Sequence, residues 1–275
     1  ALPQVKMFEL KLSQGAKPGK GGMLPGEKVT EEIANIRGIP LGKDSISPNR
    51  HAEIDSVGEL LDTVNHIRTV TGKPTGFKLV LGSYAFLDEM CDEIHRRGIE
   101  SAPDFITLDS ADGGTGAAPQ SLIDYMGLPL KESLPLLSNK LIERDLKRRI
   151  RIIASGKLIE PAAVALALCL GADFVVSARG FMFALGCIQA MQCNKNTCPT
   201  GITTHNPRLQ KGLVVEDKAQ RVRSYCENMN WEVGVIAHSC GVDEPRRLRR
   251  FHARVVTGNG TSIPLDELHP EPDNA

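Results

Sequence analysis

The segment GCIQAMQCNKNTCPTG carries three cysteines, Cys187, Cys193 and Cys198, spaced C-x5-C-x4-C. Thiolates are the soft ligands that iron–sulfur clusters and zinc share. The pattern places Cys187 at the C-terminal part of a helix that starts near Phe181. It leaves the other two in a polar loop closed by Pro199 and Gly201, and a loop can fold thiolates around one centre where a continuous helix cannot. Three ligands suit a cluster with one corner iron absent. Zinc would want a fourth, for which His205 is nearest, and buried free cysteines are the remaining reading. Cys91, Cys169, Cys226 and Cys240 stand singly on predicted helix faces, where packing is the expected role.

A second group of chemical residues lies where apolar runs end in glycine. Asp109–Pro119 (DSADGGTGAAP) follows one such run, and backbone without side chains lets a flat or phosphorylated ligand come close. Ala154–Lys157 (ASGK) and Ala178–Gly180 (ARG) follow two successive runs, the placement that phosphate-binding barrels use for a phosphate. Lys78 is a charge inside GFKLVLG, which costs several kcal/mol of desolvation unless it meets a ligand or a carboxylate. Lys17 and Lys20 sit in a loop too rich in glycine to be a packed face, as anion ligands or as solvated charges.

The elements that must position these groups alternate. Strands are expected at Met7–Gln14, Gly76–Gly82, Asp104–Asp109, Ile150–Ser155 and Asp173–Ser177, with helices at Glu53–Val70, Ala85–Arg97, Gln120–Arg149 (broken near Gly127–Pro129) and Pro161–Leu170. Such alternation implies parallel strands with right-handed crossovers, and closure as an eight-stranded (β/α)8 barrel of the TIM type. Only five strands can be read, so the expectation is an incomplete barrel whose missing strands come from a preceding N-terminal region or from a partner chain. Residues 1–212 form the barrel portion and 213–275 a helical extension of the same domain. In that extension Val215–Cys240 reads as a long helix, Glu244–Arg254 as a basic, solvated one, and the tail as loosely ordered.

Acidic and basic residues balance at 33 each, so no net field draws the chain to nucleic acid or an anionic membrane. Small molecules or other proteins are the expected partners. No run of about eighteen apolar residues occurs. Seven cysteines in 275 residues do not make a secreted disulfide framework, and the expectation is a reducing, cytoplasmic setting.

Taken together, SQGAKPGKGGMLPG (Ser13–Gly26), FKLV (Phe77–Val80), DGGTGAAP (Asp112–Pro119), ASGK and ARGFMFALGCIQAMQCNKNTCPTG (Ala178–Gly201) resemble the FMN-binding domain of glutamate synthases, particularly the short glutamate synthase-like flavoproteins. The order agrees from about Met7 to Asp266. The resemblance implies a (β/α)8 barrel holding FMN beside a [3Fe-4S] cluster on Cys187, Cys193 and Cys198. It further implies an electron donor, either a reductase subunit or ferredoxin, and formation of L-glutamate from 2-oxoglutarate and ammonia. On the same basis Gln14 and Lys78 lie near the flavin ring and Gly113 and Gly114 in the loop beside it. Asp109 and Ala178 also fall at cofactor-binding positions, Ser155, Gly156 and Arg179 lie on the phosphate side, and Lys17 and Arg37 grip the carboxylates of 2-oxoglutarate.

Two departures accompany the match. Where the family resembles QGAKPGEGGQLPG, this chain has Lys20 for the acid and Met23 for a glutamine that takes part in substrate recognition, and ASGK replaces a pattern resembling DGGLRTG. Three other functions therefore stand beside glutamate formation: an N-methylglutamate synthase-type reaction with another amine, an electron-transfer module without 2-oxo acid turnover, and a non-redox zinc-stapled barrel.

Overall fold

The computed structural model describes residues 2–15, 17, 22–112, 118–122 and 125–273. In chain order the elements are β1 (Phe8–Lys11), β2 (Met23–Leu24), α1 (Glu31–Arg37), β3 (Ser45–Ile46), α2 (Val57–Thr71), β4 (Thr75–Val80), α3 (Ala85–Arg97) and β5 (Phe105–Asp109). There follow α4 (Leu130–Glu143), β6 (Arg151–Ser155), α5 (Pro161–Cys169), β7 (Phe174–Val176), α6 (Arg179–Ala184), α7 (Pro207–Gln210), α8 (Val215–Ser239), β8 (Arg254–Val256), β9 (Ser262–Pro264) and α9 (Leu265–Leu268).

Five strands form one parallel sheet in the order β1-β4-β5-β6-β7. The order never reverses, so there is no switch point of the doubly wound kind. Helices α2, α3 and α4 pack side by side on one face. This is the winding of a (β/α)8 barrel, five strands of it, as the sequence led us to expect.

Side-chain alternation sorts the two faces. Phe77, Leu79, Ile106, Leu108, Ile152 and Ala154 point to the helices and are buried among Leu61, Val64, Met90, Ile94, Leu134 and Leu137. Glu9, Lys78, Thr107 and Ile153 point the other way, and on β7 the inward Phe174 and Val176 stay about half exposed. Gly76 is required where it stands, because a Cβ there would lie 2.1 Å from the Phe105 carbonyl oxygen.

Local signals set the crossovers. Ser56 caps α2 by accepting from Glu59 N at 3.2 Å, while the Glu59 carboxylate accepts from Asp55 N, one residue before the cap, at 2.7 Å. Gly72 closes the same helix in the left-handed region with φ 64°. The apolar α5 needs cover on both sides and receives it from the sheet and from α8. Gly180 lets α8 come that close: a Cβ there would meet the Tyr225 hydroxyl at 1.9 Å.

The N-terminal ends of the strands are fastened by two matching aspartates. Asp104, one residue before β5, takes Arg68 at 2.9 Å, Arg149 at 3.0 Å and the Thr75 backbone N–H at 2.8 Å. Asp173, one residue before β7, takes Lys147 at 2.6 Å, Arg151 at 3.3 Å and the Ile152 N–H at 2.8 Å.

Several expectations require correction. Residues 31–37, where neither strand nor helix was expected, form α1, capped by Thr30 and closed by Gly38 at φ 64°. Antiparallel pairs occur outside the main sheet, β2 with β3 and β8 with β9. Cys187 is not on a helix, since α6 ends at Ala184 and Gly186 turns the chain at φ 99°. Glu244–Arg254 is two short 3-10 turns leading into β8 rather than a solvated helix. A continuous helix would stack Arg246 against Arg250 as like charges, and Arg250 is instead buried, 1% exposed. Its guanidinium holds the carbonyls of His269 and Pro270 at 2.7 and 3.0 Å and Asn139 at 2.6 Å, which orders the tail expected to be loose.

Candidate functional site

At the C-terminal ends of the strands, the segments after β1, β5, β6 and β7, with a side chain from β4, enclose a cleft with about 810 Å³ of empty space, its mouth included. Gln14 and Lys17 come to it from the loop after β1, Lys78 and Asp109 from the two central strands, Ser155 and Gly156 from the turn after β6, and Ala178 and Arg179 from the turn after β7. Residues far apart in sequence meet because the parallel strands all end on this side. Gly113, Gly114 and Lys20 lie outside the described residues. Arg37 is exposed in the last turn of α1 and lines neither this cleft nor the cavity beside it.

Lys78 resolves its burial by an ion pair with Asp109, Nζ to Oδ2 at 2.9 Å. The same oxygen accepts from Gly15 N at 2.9 Å, and Oδ1 accepts from Ser110 N at 3.0 Å. Asp109 thus fixes the loop after β1 and aims a lysine into the cleft. Gly156 has φ 137°, and a Cβ there would stand 2.3 Å from Ser110 Cβ, so the turn after β6 tolerates no side chain at that position. Two oxygens in this region, Ser177 Oγ in the wall and Asp112 Oδ1, are buried without a hydrogen-bond partner among the described residues. Native proteins rarely leave such groups unpaired, and Ser177 Oγ in a cleft wall matches a ligand oxygen. Ser177 was missed by the sequence reading, which took only the two residues after it.

A second cavity adjoins the first and shares Gln14 and Lys17 with it. Lys11 and Arg50 complete a basic wall, beside His51 and with Gly22 and Ser47 from the ends of the β2–β3 pair. Burial and then repulsion by Lys78 and Lys17 lower the Lys11 pKa below its ordinary value, against the opposing pull of Asp109 and Glu9. A cavity so lined favours an anion.

The cysteine loop is built differently. Between α6 and α7 the chain passes through the left-handed region at Gly186, Gln189, Met191, Asn196 and Gly201, with φ from 54° to 99°. Such turns direct successive backbone N–H groups into concavities of the kind that hold phosphates and iron–sulfur centres. Gln189 N donates to Cys187 Sγ at 3.4 Å, and Cys198 Sγ meets Thr200 Oγ1 at 3.3 Å. Burial works against the Cys198 thiolate, but hydrogen bonds with Thr200 and Thr203 prevail and bring its pKa down to about 6. Among the described residues no three His, Cys, Asp or Glu side chains close on a position for a single metal ion, and His205 is exposed. Lys28, which the sequence reading also passed over, is buried against this loop and donates to the carbonyls of Cys193 at 2.6 Å and Thr203 at 2.7 Å.

Residues 1–243 match a family described as the conserved region in glutamate synthase. The chain belongs to the glutamate synthase family. The glutamate synthase large subunit-like protein YerD of Bacillus subtilis (strain 168) is 43% identical over 267 residues, covering 97% of this chain and 50% of the relative. The archaeal glutamate synthase [NADPH] of Methanocaldococcus jannaschii is 37% identical over 244 residues, covering 88% and 47%. The chain therefore spans about half the length of the curated relatives it matches. Among solved structures, the lactate oxidase of Pediococcus acidilactici shares the fold, with a TM-score of 0.50 at 13% identity over 94% of this chain and 54% of that one. No helix among the described residues is long and apolar enough to cross a membrane.

Proposed function

We propose that the chain is the cofactor-bearing part of a glutamate synthase-like oxidoreductase that binds FMN in the strand-end cleft and a [3Fe-4S] cluster on Cys187, Cys193 and Cys198, and that reduces 2-iminoglutarate, formed from 2-oxoglutarate and ammonia, to L-glutamate. The observation that carries this reading is the convergence of Gln14, Lys78, Ser155, Gly156 and Arg179 on one cleft that also presents an unpartnered Ser177 hydroxyl. When bound, FMN supplies the hydride that turns the imine carbon into the α-carbon of the amino acid, and the cluster passes electrons to it singly from a reductase or ferredoxin.

The chain's own residues have separable tasks. Asp109 holds Lys78 so that its ammonium faces the cleft, where a fixed cation stabilises negative charge on a reduced flavin ring. Gly156, Ser177 and Arg179 make the phosphate end, the first by admitting the phosphate to the backbone and the others by donating to it. Lys17, shared by the two cavities, receives a substrate carboxylate next to the flavin. Lys11 reinforces that field.

Met23 favours a second reading of the substrate. It stands on β2, 55% exposed, at the edge of the cationic cavity, and offers no amide to a dicarboxylate. An N-methylglutamate synthase-type reaction, or electron transfer without 2-oxo acid turnover, follows if recognition there has changed. The test is the visible spectrum of full-length protein purified without oxygen, then its bleaching by 2-oxoglutarate with ammonia or methylamine. Flavin and broad iron–sulfur absorption with ammonia-dependent bleaching and glutamate formation are expected. A colourless, zinc-containing protein would overturn the reading, and bleaching by methylamine alone would select the second substrate.

A further inference from the structure

Lys28 lies in the 3-10 turn Gly26–Lys28, which follows the loop and short strand β2 beside the cationic cavity. Its residue is 8% exposed. The ammonium crosses 165 residues of sequence to reach the Cys193 carbonyl and 175 to reach that of Thr203. No carboxylate stands within ion-pair range of it among the described residues, so a buried positive charge is held by neutral dipoles alone. Such a charge is costly unless something anionic lies near. Two further cations approach the same loop from α8: the Cβ position of Gly186, next to Cys187, is 3.5 Å from Lys218 Nζ and 3.7 Å from an Arg221 guanidinium nitrogen. Asp217 pairs with Lys218 at 3.4 Å, and Arg221 has no carboxylate partner among the described residues. Cations from two different segments thus reach the three-cysteine loop, in excess of the acids that pair with them among the described residues.

We propose that Lys28 is a positioning residue for the centre held by Cys187, Cys193 and Cys198, an inference that rests on the iron–sulfur reading given above. Its ammonium locks the cysteine loop to the segment that walls the substrate cavity and supplies the fixed positive charge that offsets an anionic cluster. One-electron reduction of such a centre adds one negative charge with no covalent change in the protein, so a buried cation beside it favours the reduced state. The same contact ties substrate cavity and electron entry together mechanically, because one side chain spans the segment 22–46 and the loop that carries Cys193.

The experiment compares full-length wild type with Lys28→Gln and Lys28→Arg, each purified without oxygen and titrated with dithionite while the cluster signal is followed by electron paramagnetic resonance. Lys28→Gln keeps a hydrogen-bond donor and loses the charge. It should shift the reduced-to-oxidised ratio at a fixed potential at least tenfold toward the oxidised state, which is about 59 mV for a one-electron couple. Lys28→Arg keeps the charge and should stay within about threefold of wild type, since one guanidinium can replace the ammonium toward both carbonyls. A second measurement uses protein stripped of iron: alkylation of Cys193 and Cys198 should be several-fold faster in Lys28→Gln than in wild type or Lys28→Arg. Wild-type potential and wild-type thiol protection in Lys28→Gln would overturn the proposal, as would an equal loss in both variants. If wild type itself carries no iron–sulfur signal, the cluster reading fails, and the positioning role stands or falls on the alkylation rates alone.

Discussion

The two ends of the same parallel sheet treat buried charge in opposite ways. At the N-terminal ends of the strands, Asp104 and Asp173 each satisfy two cations and one backbone N–H of the neighbouring strand, and nothing is left over. At the C-terminal ends, Lys78 has Asp109, but Lys11 and Lys17 make no ion pair among the described residues, and Ser177 Oγ and Asp112 Oδ1 are buried without a hydrogen-bond partner among them. Both ends are built from the same residue types and the same strand spacing. The difference is that one network closes on itself, a frame for the fold, and the other stays open among the described residues, at the end of the sheet where barrel enzymes place their chemistry.

The sharpest way to break that contrast is to remove the central charge at each end. Lys78→Met in the mouth should lower kcat/KM for reductive amination about 100-fold, ~2.7 kcal/mol of transition-state stabilisation, and should cost only about 1 kcal/mol of stability, because Asp109 loses its counter-cation but keeps the N–H groups of Gly15 and Ser110. Steady-state kinetics alongside thermal melts of the flavin-loaded protein read both. Asp104→Ala at the opposite end should do the reverse. It leaves Arg68, Arg149 and the Thr75 N–H without their acceptor, and with those groups partly solvated the loss of stability should be about 2 kcal/mol by urea denaturation. Flavin content should not change. A melted Lys78→Met or a flavin-free but stable Asp104→Ala would erase the distinction between frame and mouth.

Ser177→Ala sharpens the comparison with a smaller effect of two signs. A buried hydroxyl without a partner is a cost that the apoprotein carries, so deleting it should stabilise the ligand-free form by ~1 kcal/mol. The same deletion takes one donor from the bound phosphate and should weaken FMN about fivefold. Apoprotein melts and flavin fluorescence titration give the two numbers independently. Stability lost rather than gained in the apoprotein would mean that the hydroxyl belongs to the frame.

How much of this was legible in the residues follows the same division. Strand ends could be read where apolar runs give way to small residues, and the cleft residues Ser155, Gly156, Ala178 and Arg179 were found that way, whereas Lys78 was marked by its charge inside an apolar run and Gln14 only by the family resemblance. The aspartates that open the runs DFITLD and DFVVS carried the frame signal and passed unnoticed, since an acid before a strand has no periodicity to mark it. Helix α1 had a capping threonine, two glutamates and a closing glycine, but its single buried residue, Ala34, gives no apolar stripe. Lys28 and Arg250 were beyond reach for a different reason. Each is buried by partners more than a hundred residues away, and a basic residue in a polar stretch, alone like Lys28 or among other arginines like Arg250, reads as solvated until the chain is folded. The cysteine loop showed its thiols in full but little of its backbone, because two of its left-handed turns fall on Gln189 and Met191, which rarely adopt that conformation, and only Asn196 is a residue that favours it.

The smallest expected effect tests whether the C-terminal tail belongs with the frame. Arg250 holds the carbonyls of His269 and Pro270, and its own Nε is left without a hydrogen bond, with Glu271 at 3.6 Å. Burial and then the Arg250 charge lower the His269 pKa below 6.5, while Glu132 pulls the other way. A histidine with a lowered folded-state pKa binds fewer protons folded than unfolded as pH falls through the ordinary value, so stability must decrease as pH drops below about 6.5 and level off under the folded pKa. His269 is only partly buried, which keeps the effect well under ~1 kcal/mol. Amide exchange over residues 265–271 should therefore quicken between about pH 7.5 and pH 5.5 after correction for intrinsic rates, and His269→Gln, which never takes the proton, should remove that dependence. Flavin affinity should be the same at both pH values in the variant and the wild type, because the tail touches α4 on the helical side of the sheet and contributes nothing to the cleft. A flavin affinity that follows the His269 titration would join the tail to the mouth and redraw the boundary between the two ends.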